Sequence, residues 1–457
     1  MDFCLQYRHL IIFLSASSLF IIMCMRSGFA LVVTHLTKSN ASDLSDVSFF
    51  RDCTSYDAGF VSEYSEETSM QFHTAYFVGM VISVILGAYI TTRYPAHLVL
   101  GANTVMTCGL FLSLPYTFQK TATGVFAIRF LQGLLEGMCQ PAIVVLVTSW
   151  ALKHEKSTMM AVAFIGLFIG PGVSNIFFGA CICYIGWDAG IYLSGSAGVL
   201  WALVWFPLAY PLPQDCPYIG KQELMRYLEE GETVSRGSKA VAGRIPWKAI
   251  ITSKPVWAIW LGLFCKSVVL STILTLQPQF FKDIYGIRAA DIGLLLSVPY
   301  FVNSSFLFVF SYISDRLIAS RLLSVTSVRK LMQCTGVVLE GVFFVCMIYS
   351  GTWQTSYAFL TAAYALGGMT FSGYSCNIAD LSPQYSGAVA ALENTGLMGS
   401  VCSTFLASLV TGRNSTYRNW SILFWLEAAV AGATAVVYFL FASGEKQPWA
   451  DGVKDST

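Results

Sequence analysis

The run Leu10 to Val33, LIIFLSASSLFIIMCMRSGFALVV, decides the reading of this chain. Crossing a bilayer as a helix takes about 20 predominantly apolar residues, and this run is long enough, yet it carries Arg26 deep inside. A cation at that depth costs about 2.5–3.5 kcal/mol on insertion scales, so such a side chain is turned toward a polar cavity or a partner. The run is too long for the apolar core of a signal peptide, and Val32-Val33-Thr34 is no small-x-small cleavage site. A retained first helix is expected. The arrangement recurs: Lys266 sits inside the run from Val256 to Leu276, and Arg129 with Glu136 inside the run from Gly124 to Val147. Fixed cations along the interior of a membrane protein are what an anion requires.

Composition agrees with a chain that crosses the bilayer many times. Of 457 residues 55% are hydrophobic and only 12% charged, which excludes an ordinary soluble domain, and mean hydropathy is +0.61. The net charge of +1, with no basic tail or basic-aromatic block, gives no reason to expect nucleic acid. Thirteen cysteines are scattered, mostly in apolar segments and without a CxxC pair, and read as small buried hydrophobes, with Cys53 in a polar loop the one placed to meet an oxidising lumen. No nucleophile–base pair, metal cluster or nucleotide loop stands out, so neither an enzyme nor a cofactor is expected.

About twelve spans are expected, near 9–33, 69–90, 98–117, 122–147, 158–182, 189–210, 255–276, 290–313, 330–350, 355–377, 387–410 and 420–442. The organisation follows: an N-terminal six-helix half over 1–210 with a loop at 34–68, an inter-half loop over 211–254, a C-terminal six-helix half over 255–442, and a tail over 443–457. Within the inter-half loop, the amphipathic segment from Lys221 to Glu230 should form a short helix on the membrane surface. With both termini cytoplasmic, about 17 basic residues lie on that side against 7 opposite, which fixes orientation by the positive-inside rule. The sequons at Asn40 and Asn414 then face the lumen or exterior and are expected to carry glycan. An all-α membrane protein of two six-helix halves is the layout of major facilitator transporters, whose halves rock about a midplane site. Arg26 and Lys266 each lie on the first helix of a half, placed to clamp one small anionic substrate between them.

The densest motif is RFLQGLLEG, from Arg129 to Gly137. Arg129 and Glu136 are about two turns apart and share a helix face, while Gly133 and Gly137 form a small-xxx-small pair that lets a neighbouring helix approach closely. A buried structural charge network and a role in transport are equally good readings of the two charges. Glu136 is the better candidate to carry a proton. His73, near the lumenal end of the second helix, is either a packing residue or a pH gate. Arg93, Asp315 and Arg316 stand at the cytoplasmic ends of the second and eighth helices and read as charges that hold the halves in one state of the cycle.

These residues carry a resemblance. The Arg129–Gly137 motif, Phe264-Cys265-Lys266-Ser267 with Gln277-Pro278, Ser372-Gly373-Tyr374 with Asn377 and Asp380, and the tail from Phe441 to Asp451 together resemble the solute carrier family 17 anion transporters nearly end to end, with the vesicular glutamate branch nearest. The resemblance implies that Arg26 and Lys266 hold substrate carboxylates, and that Arg129, Glu136 and His73 serve coupling. Lys266 stands where the family carries arginine, losing the planar fork suited to carboxylates. Val144 stands where a histidine is frequent, and Glu393 adds an acid where a small hydroxyl residue is usual. The expectation is a secondary transporter of small anions, organic ones such as L-glutamate foremost, driven by membrane potential, a proton or a sodium gradient, with chloride as a further ion and a vesicular, lysosomal or plasma membrane as its site. Phosphate or sialic acid cotransport is the alternative within the family. An anion channel or a substrate-gated receptor on the same fold is the alternative outside it.

Overall fold

The computed structural model describes residues 6–37, 64–152, 156–229, 246–382, 385–412 and 416–451. Among them the long rods follow one another in chain order. The first helix is Tyr7–Leu36, the second Glu66–Arg93, the third Ala96–Leu112 with its continuation Leu114–Lys120, and the fourth Ala122–Trp150. The fifth is Lys156–Phe164 running into Gly166–Tyr184, and the sixth is Trp187–Leu208. After the short helices Lys221–Glu229 and Trp247–Thr252 comes the seventh, Lys254–Ser271, carried on by a π-helical turn Thr272–Leu276 and by Gln277–Tyr285. The eighth is Ala289–Ala319, the ninth Val325–Ile348 and the tenth Trp353–Leu381. The eleventh is built from Ser386–Asn394, Thr395–Leu397 and Met398–Val410, and the twelfth is Tyr417–Phe441. Eight of these rods are long and apolar enough to cross a membrane, nine when the bent third is counted as one. The second and tenth, of 28 and 29 residues, and the eleventh, built from three shorter pieces, are not among these, so fewer spans of that apolarity stand among the described residues than the twelve expected.

Local chemistry sets the ends. Hydroxyl side chains cap five helix starts: Ser65, Thr121, Ser324, Thr352 and Thr416 each accept a backbone N–H from three residues on. Gly286 closes the seventh helix with φ 64°, a left-handed conformation that suits glycine. The third span was expected to run straight to 117, but the rod bends by 42° after Leu112. Pro115, in the first turn of the continuation, has no N–H to bond back across the break.

The glycines expected to admit a neighbour do so. A β-carbon on Gly133 would collide with the main-chain carbonyl of Tyr76, and one on Gly137 would lie 2.7 Å from the carbonyl of Met80. Gly79 meets the backbone of Phe130 from the other side, so the second and fourth helices touch backbone to backbone. This contact fixes the level at which Tyr76 and Phe77 of one helix meet Arg129 and Glu136 of the other.

The start of the first helix is buttoned by the short helix Lys221–Glu229. Its Glu223 accepts backbone N–H bonds from Tyr7 at 2.9 Å and Arg8 at 3.1 Å, placing a carboxylate on the positive end of the first helix. Tyr227 donates its hydroxyl to the carbonyl of Trp150, the last residue of the fourth helix, at 2.6 Å. At the far face the first six helices are joined to the second six. Lys282 Nζ donates to the carbonyls of Thr34 and Thr37, both at 2.6 Å. Gly293 of the eighth helix sits against the backbone of Asn175 and Gly179 of the fifth. Thr74 donates to Thr404 at 3.1 Å, tying the second helix to the eleventh. Asn40 and Asn414 lie outside the described residues.

Filling the glycine contact should break this fold. Gly133→Leu is expected to cost more than the about 1–3 kcal/mol of ordinary overpacking, because the obstacle is main chain and cannot move aside. Size-exclusion profiles and thermal melts of the detergent-solubilised variant should show loss of the folded peak. Gly432→Ala, which has open space around it, should leave both unchanged.

Candidate functional site

Two buried charge clusters occupy the bundle interior, one on each set of six helices. In the first, Arg26 is only 7% exposed and its guanidinium donates to Glu136 Oε1 at 3.2 Å. Its carbon also lies 4.9 Å from the centre of the Phe77 ring and 5.3 Å from that of Tyr76. Arg129 is sandwiched by Phe29 at 3.9 Å and Tyr76 at 4.3 Å and donates to Gln132 Oε1 at 2.9 Å. Two guanidiniums, one carboxylate and a shared Tyr76 ring thus form one cluster. Aromatic faces hold a desolvated cation at about 2 kcal/mol each, a favourable surrounding for charge that water does not reach. His73 is buried beside the same cluster with its ring edge-on to Phe29 at 5.6 Å. Its Nδ1 finds no hydrogen-bond partner among the described residues, and neither does Arg129 Nε.

Arg26 was expected to turn toward a polar cavity or a partner and to face water; it is buried and has the partner, Glu136 of the fourth helix, a carboxylate that relieves the cost of the guanidinium. The partner of Glu136 is therefore Arg26 of another helix and not Arg129 of its own.

In the second cluster Lys266 Nζ donates to Glu340 Oε1 and to the carbonyl of Gly367, both at 3.2 Å. Its ammonium stands 6.0 Å from the centre of the Tyr364 ring. Gly367 belongs here for steric reasons: a β-carbon would lie 2.6 Å from Lys266 Nζ. The two clusters are linked by an aromatic pair, Tyr300 and Tyr364, whose rings meet edge to face at 5.1 Å. Both phenols lie within electrostatic reach of Arg26, and Tyr364 also within reach of Glu340.

Glu393 is buried but forms no ion pair among the described residues, so it does not neutralise Lys266. That role belongs to Glu340, in the apolar run 330–350, where the rule applied to Arg26 would have exposed it. Glu427, in the run 420–442, escaped for the same reason. Of the helix-end charges, Arg93, Asp315 and Arg316 are exposed, and Arg316 bonds Tyr312 of its own helix at 2.8 Å. The charge that ties helices at that level is Arg329. It pairs with Asp380 at 2.7 Å and donates to Ser314 Oγ and to the carbonyl of Ser372, joining the eighth, ninth and tenth helices.

A helical bundle of twelve rods with paired charges at its centre defines a membrane transporter. The family model of the Major Facilitator Superfamily matches residues 15–328. The chain is 32% identical over 392 residues to vesicular glutamate transporter 2 of Homo sapiens, covering 85% of this chain and 67% of that protein. It is 31% identical to vesicular glutamate transporter 1 of Bos taurus, covering 85% of this chain and 70% of that one. Among solved structures, a bacterial homologue of the human lysosomal transporter Spinster, inward-facing and occupied, superposes with TM-score 0.71 at 11% identity over 97% of this chain and 99% of that one. The inward-open xylose transporter XylE of E. coli gives 0.66 at 12% identity over 95% of each. The chain belongs to the major facilitator superfamily and, within it, to solute carrier family 17, the family of the vesicular glutamate transporters. It is a transporter and not an enzyme.

The Arg26–Glu136 pair makes a testable statement about stability. Removing one member of a buried pair strands the other at a cost of about 3–5 kcal/mol, so Arg26→Ala should lower the melting temperature markedly. Arg26→Ala with Glu136→Gln should recover much of the loss. A thermal-shift double-mutant cycle checks this, and strict additivity of the two changes would contradict the pairing.

Proposed function

We propose that this chain is a secondary transporter of a small organic anion, with L-glutamate the first candidate. The observation that supports this reading most is that the two interior cations on the first and seventh helices, Arg26 and Lys266, are each held by a carboxylate, Glu136 and Glu340. The protein's own glutamates thus satisfy both cations. A substrate carboxylate that binds Arg26 competes with Glu136, and protonation of Glu136 releases the guanidinium to it. Anion binding and proton binding are linked in this way, and the first six and second six helices rock about the site as two halves.

The orientation proposed places both termini in the cytoplasm and the face closed by Lys282 in the lumen or exterior. The basic-residue asymmetry supports this. So does Cys183, at the far-face end of the fifth helix, which is disulfide-bonded, a state typical of oxidising compartments. A vesicular membrane accords with the relatives' names, and a lysosomal or plasma membrane remains the alternative. Glycan is expected on Asn40 and Asn414, and a glycosidase shift surviving Gln at both would contradict the orientation.

A second reading, phosphate as cargo, draws on Lys266, an ammonium that can bind phosphate as a point charge. A guanidinium forms two parallel bonds to an oxyanion and none to a spherical ion, so Lys266→Arg should tighten L-glutamate more than chloride. An equal change for both would mean that Lys266 acts as a point charge, and uptake of phosphate against L-glutamate in proteoliposomes decides the cargo. With imposed pH gradients, Glu136→Gln should lose most of the pH dependence of uptake, and retention of the full profile would remove Glu136 from coupling. Conductance without concentrative uptake would mark a channel.

A further inference from the structure

A third buried carboxylate lies beyond both clusters. Glu427, in the middle of the twelfth helix, is 4% exposed. One of its oxygens, Oε1, receives a short hydrogen bond from Thr272 Oγ1 of the seventh helix. The other, Oε2, is buried without a partner. Thr272 Oγ1 stands 2.9 Å from Ser403 Oγ of the eleventh helix and 3.1 Å from the carbonyl of Val268. Three helices therefore deliver a carboxylate and two hydroxyls to one point, and no cation lies within ion-pair distance of Glu427 among the described residues.

The proton count at this point is tight. Thr272 has one hydroxyl hydrogen, and three acceptors surround its oxygen. If that hydrogen goes to Glu427, a buried anion is held by a single neutral donor, far less than a desolvated carboxylate requires. If it goes to Val268, two bare oxygens face each other. A hydrogen on Glu427 resolves both cases. The groups facing it from the helices packed on the twelfth are Cys265 and Thr272 on the seventh, Glu340 on the ninth and Ser403 on the eleventh. None supplies positive charge.

We propose that Glu427, Thr272 and Ser403 form a proton-binding site whose occupancy controls anion affinity at Lys266. The carboxylate of Glu340 lies within electrostatic reach of Glu427 and holds Lys266 at 3.2 Å. Losing the proton at 427 adds a negative charge beside Glu340 and makes the potential at Lys266 less attractive to an anion. Gaining it does the reverse, and by reciprocity a bound anion favours the proton. Thr272 also begins the π-helical turn Thr272–Leu276, an irregularity frequent at functional sites, so a change of pitch there would move the hydroxyl relative to Glu427.

The proton site is tested without any substrate, and its link to anion affinity rests on the proposed function. Full-length protein in liposomes is taken through a pH jump and followed by infrared difference spectroscopy. Acidification should produce a carboxylic-acid C=O band that Glu427→Gln removes and Thr272→Val shifts in frequency and midpoint. A spectrum unchanged by Glu427→Gln overturns the site, and so does a Thr272→Val spectrum that does not move, which decides the matter if the Gln variant folds poorly. Loss of the band on adding sodium at fixed pH would assign the cluster to a metal ion and overturn the proton. In the second arm, L-glutamate and then inorganic phosphate are bound to purified protein across pH. Acid should tighten wild-type binding by about fivefold or more, and Glu427→Gln should flatten the share of that profile which Glu136→Gln leaves in place. A pH profile that Glu427→Gln does not change, in either background, refutes the link to Lys266. Failure of both anions to bind wild type refutes the proposed cargo, while the infrared arm still decides the proton site.

Discussion

Charge inside an apolar bundle has to be neutralised inside the bundle, and that constraint organises this molecule. Arg26 and Arg129 are buried and Lys266 is only 16% exposed, and each is placed where a carboxylate, an amide oxygen or an aromatic face takes over much of the solvation. The placement needs helices closer than side chains normally allow. Gly133 and Gly137 on the fourth helix and Gly367 on the tenth provide that approach. The small residues and the charges work together: the close contact of the second and fourth helices sets Tyr76 and Phe77 against the guanidiniums, and Gly367 leaves room for Lys266.

The two sets of six helices solve the same problem with different chemistry. On the first set the cations are guanidiniums, whose flat faces lie against Phe29, Tyr76 and Phe77 while the edge reaches a carboxylate. On the second the cation is an ammonium held by one carboxylate and one main-chain carbonyl, with Tyr364 at the limit of cation–π distance. The second set also carries an excess of buried acid, since Glu340 is paired but Glu393 and Glu427 have no basic partner among the described residues. The interior field is thus asymmetric, guanidinium-rich on one side and carboxylate-rich on the other, with Tyr300 and Tyr364 between.

Much of this was written plainly in the sequence. Runs of apolar residues gave the rods, and the charges at 26, 129, 136 and 266 stood out because so few others interrupt those runs. The glycine pair four residues apart announced close approach by a neighbouring helix, without saying that it would be the second. Pairing was not legible. Arg129 and Glu136 share a helix face, which suggested a local network, but side chains seven residues apart do not reach each other as well as two helices in contact do. Glu340 and Glu427 obey the same rule as Arg26 and were passed over because no nearby motif drew the eye. The bend after Leu112 was hidden for a different reason: a span reads as continuous whenever hydropathy is continuous, and Pro115 alone does not say by how much the rod will turn.

The far-face closure has a consequence for how the protein tolerates change. Lys282 takes hold of the carbonyls of Thr34 and Thr37, the last acceptors of the first helix, and makes no use of the side chains at those positions. Main-chain oxygens are present whatever residue is encoded. One partner in this latch is therefore immune to substitution, and drift along the end of the first helix leaves it intact so long as the helix ends where it does. On the other side of these two bonds stands one lysine of the seventh helix, so substitution reaches them through that codon and not through those of the first helix.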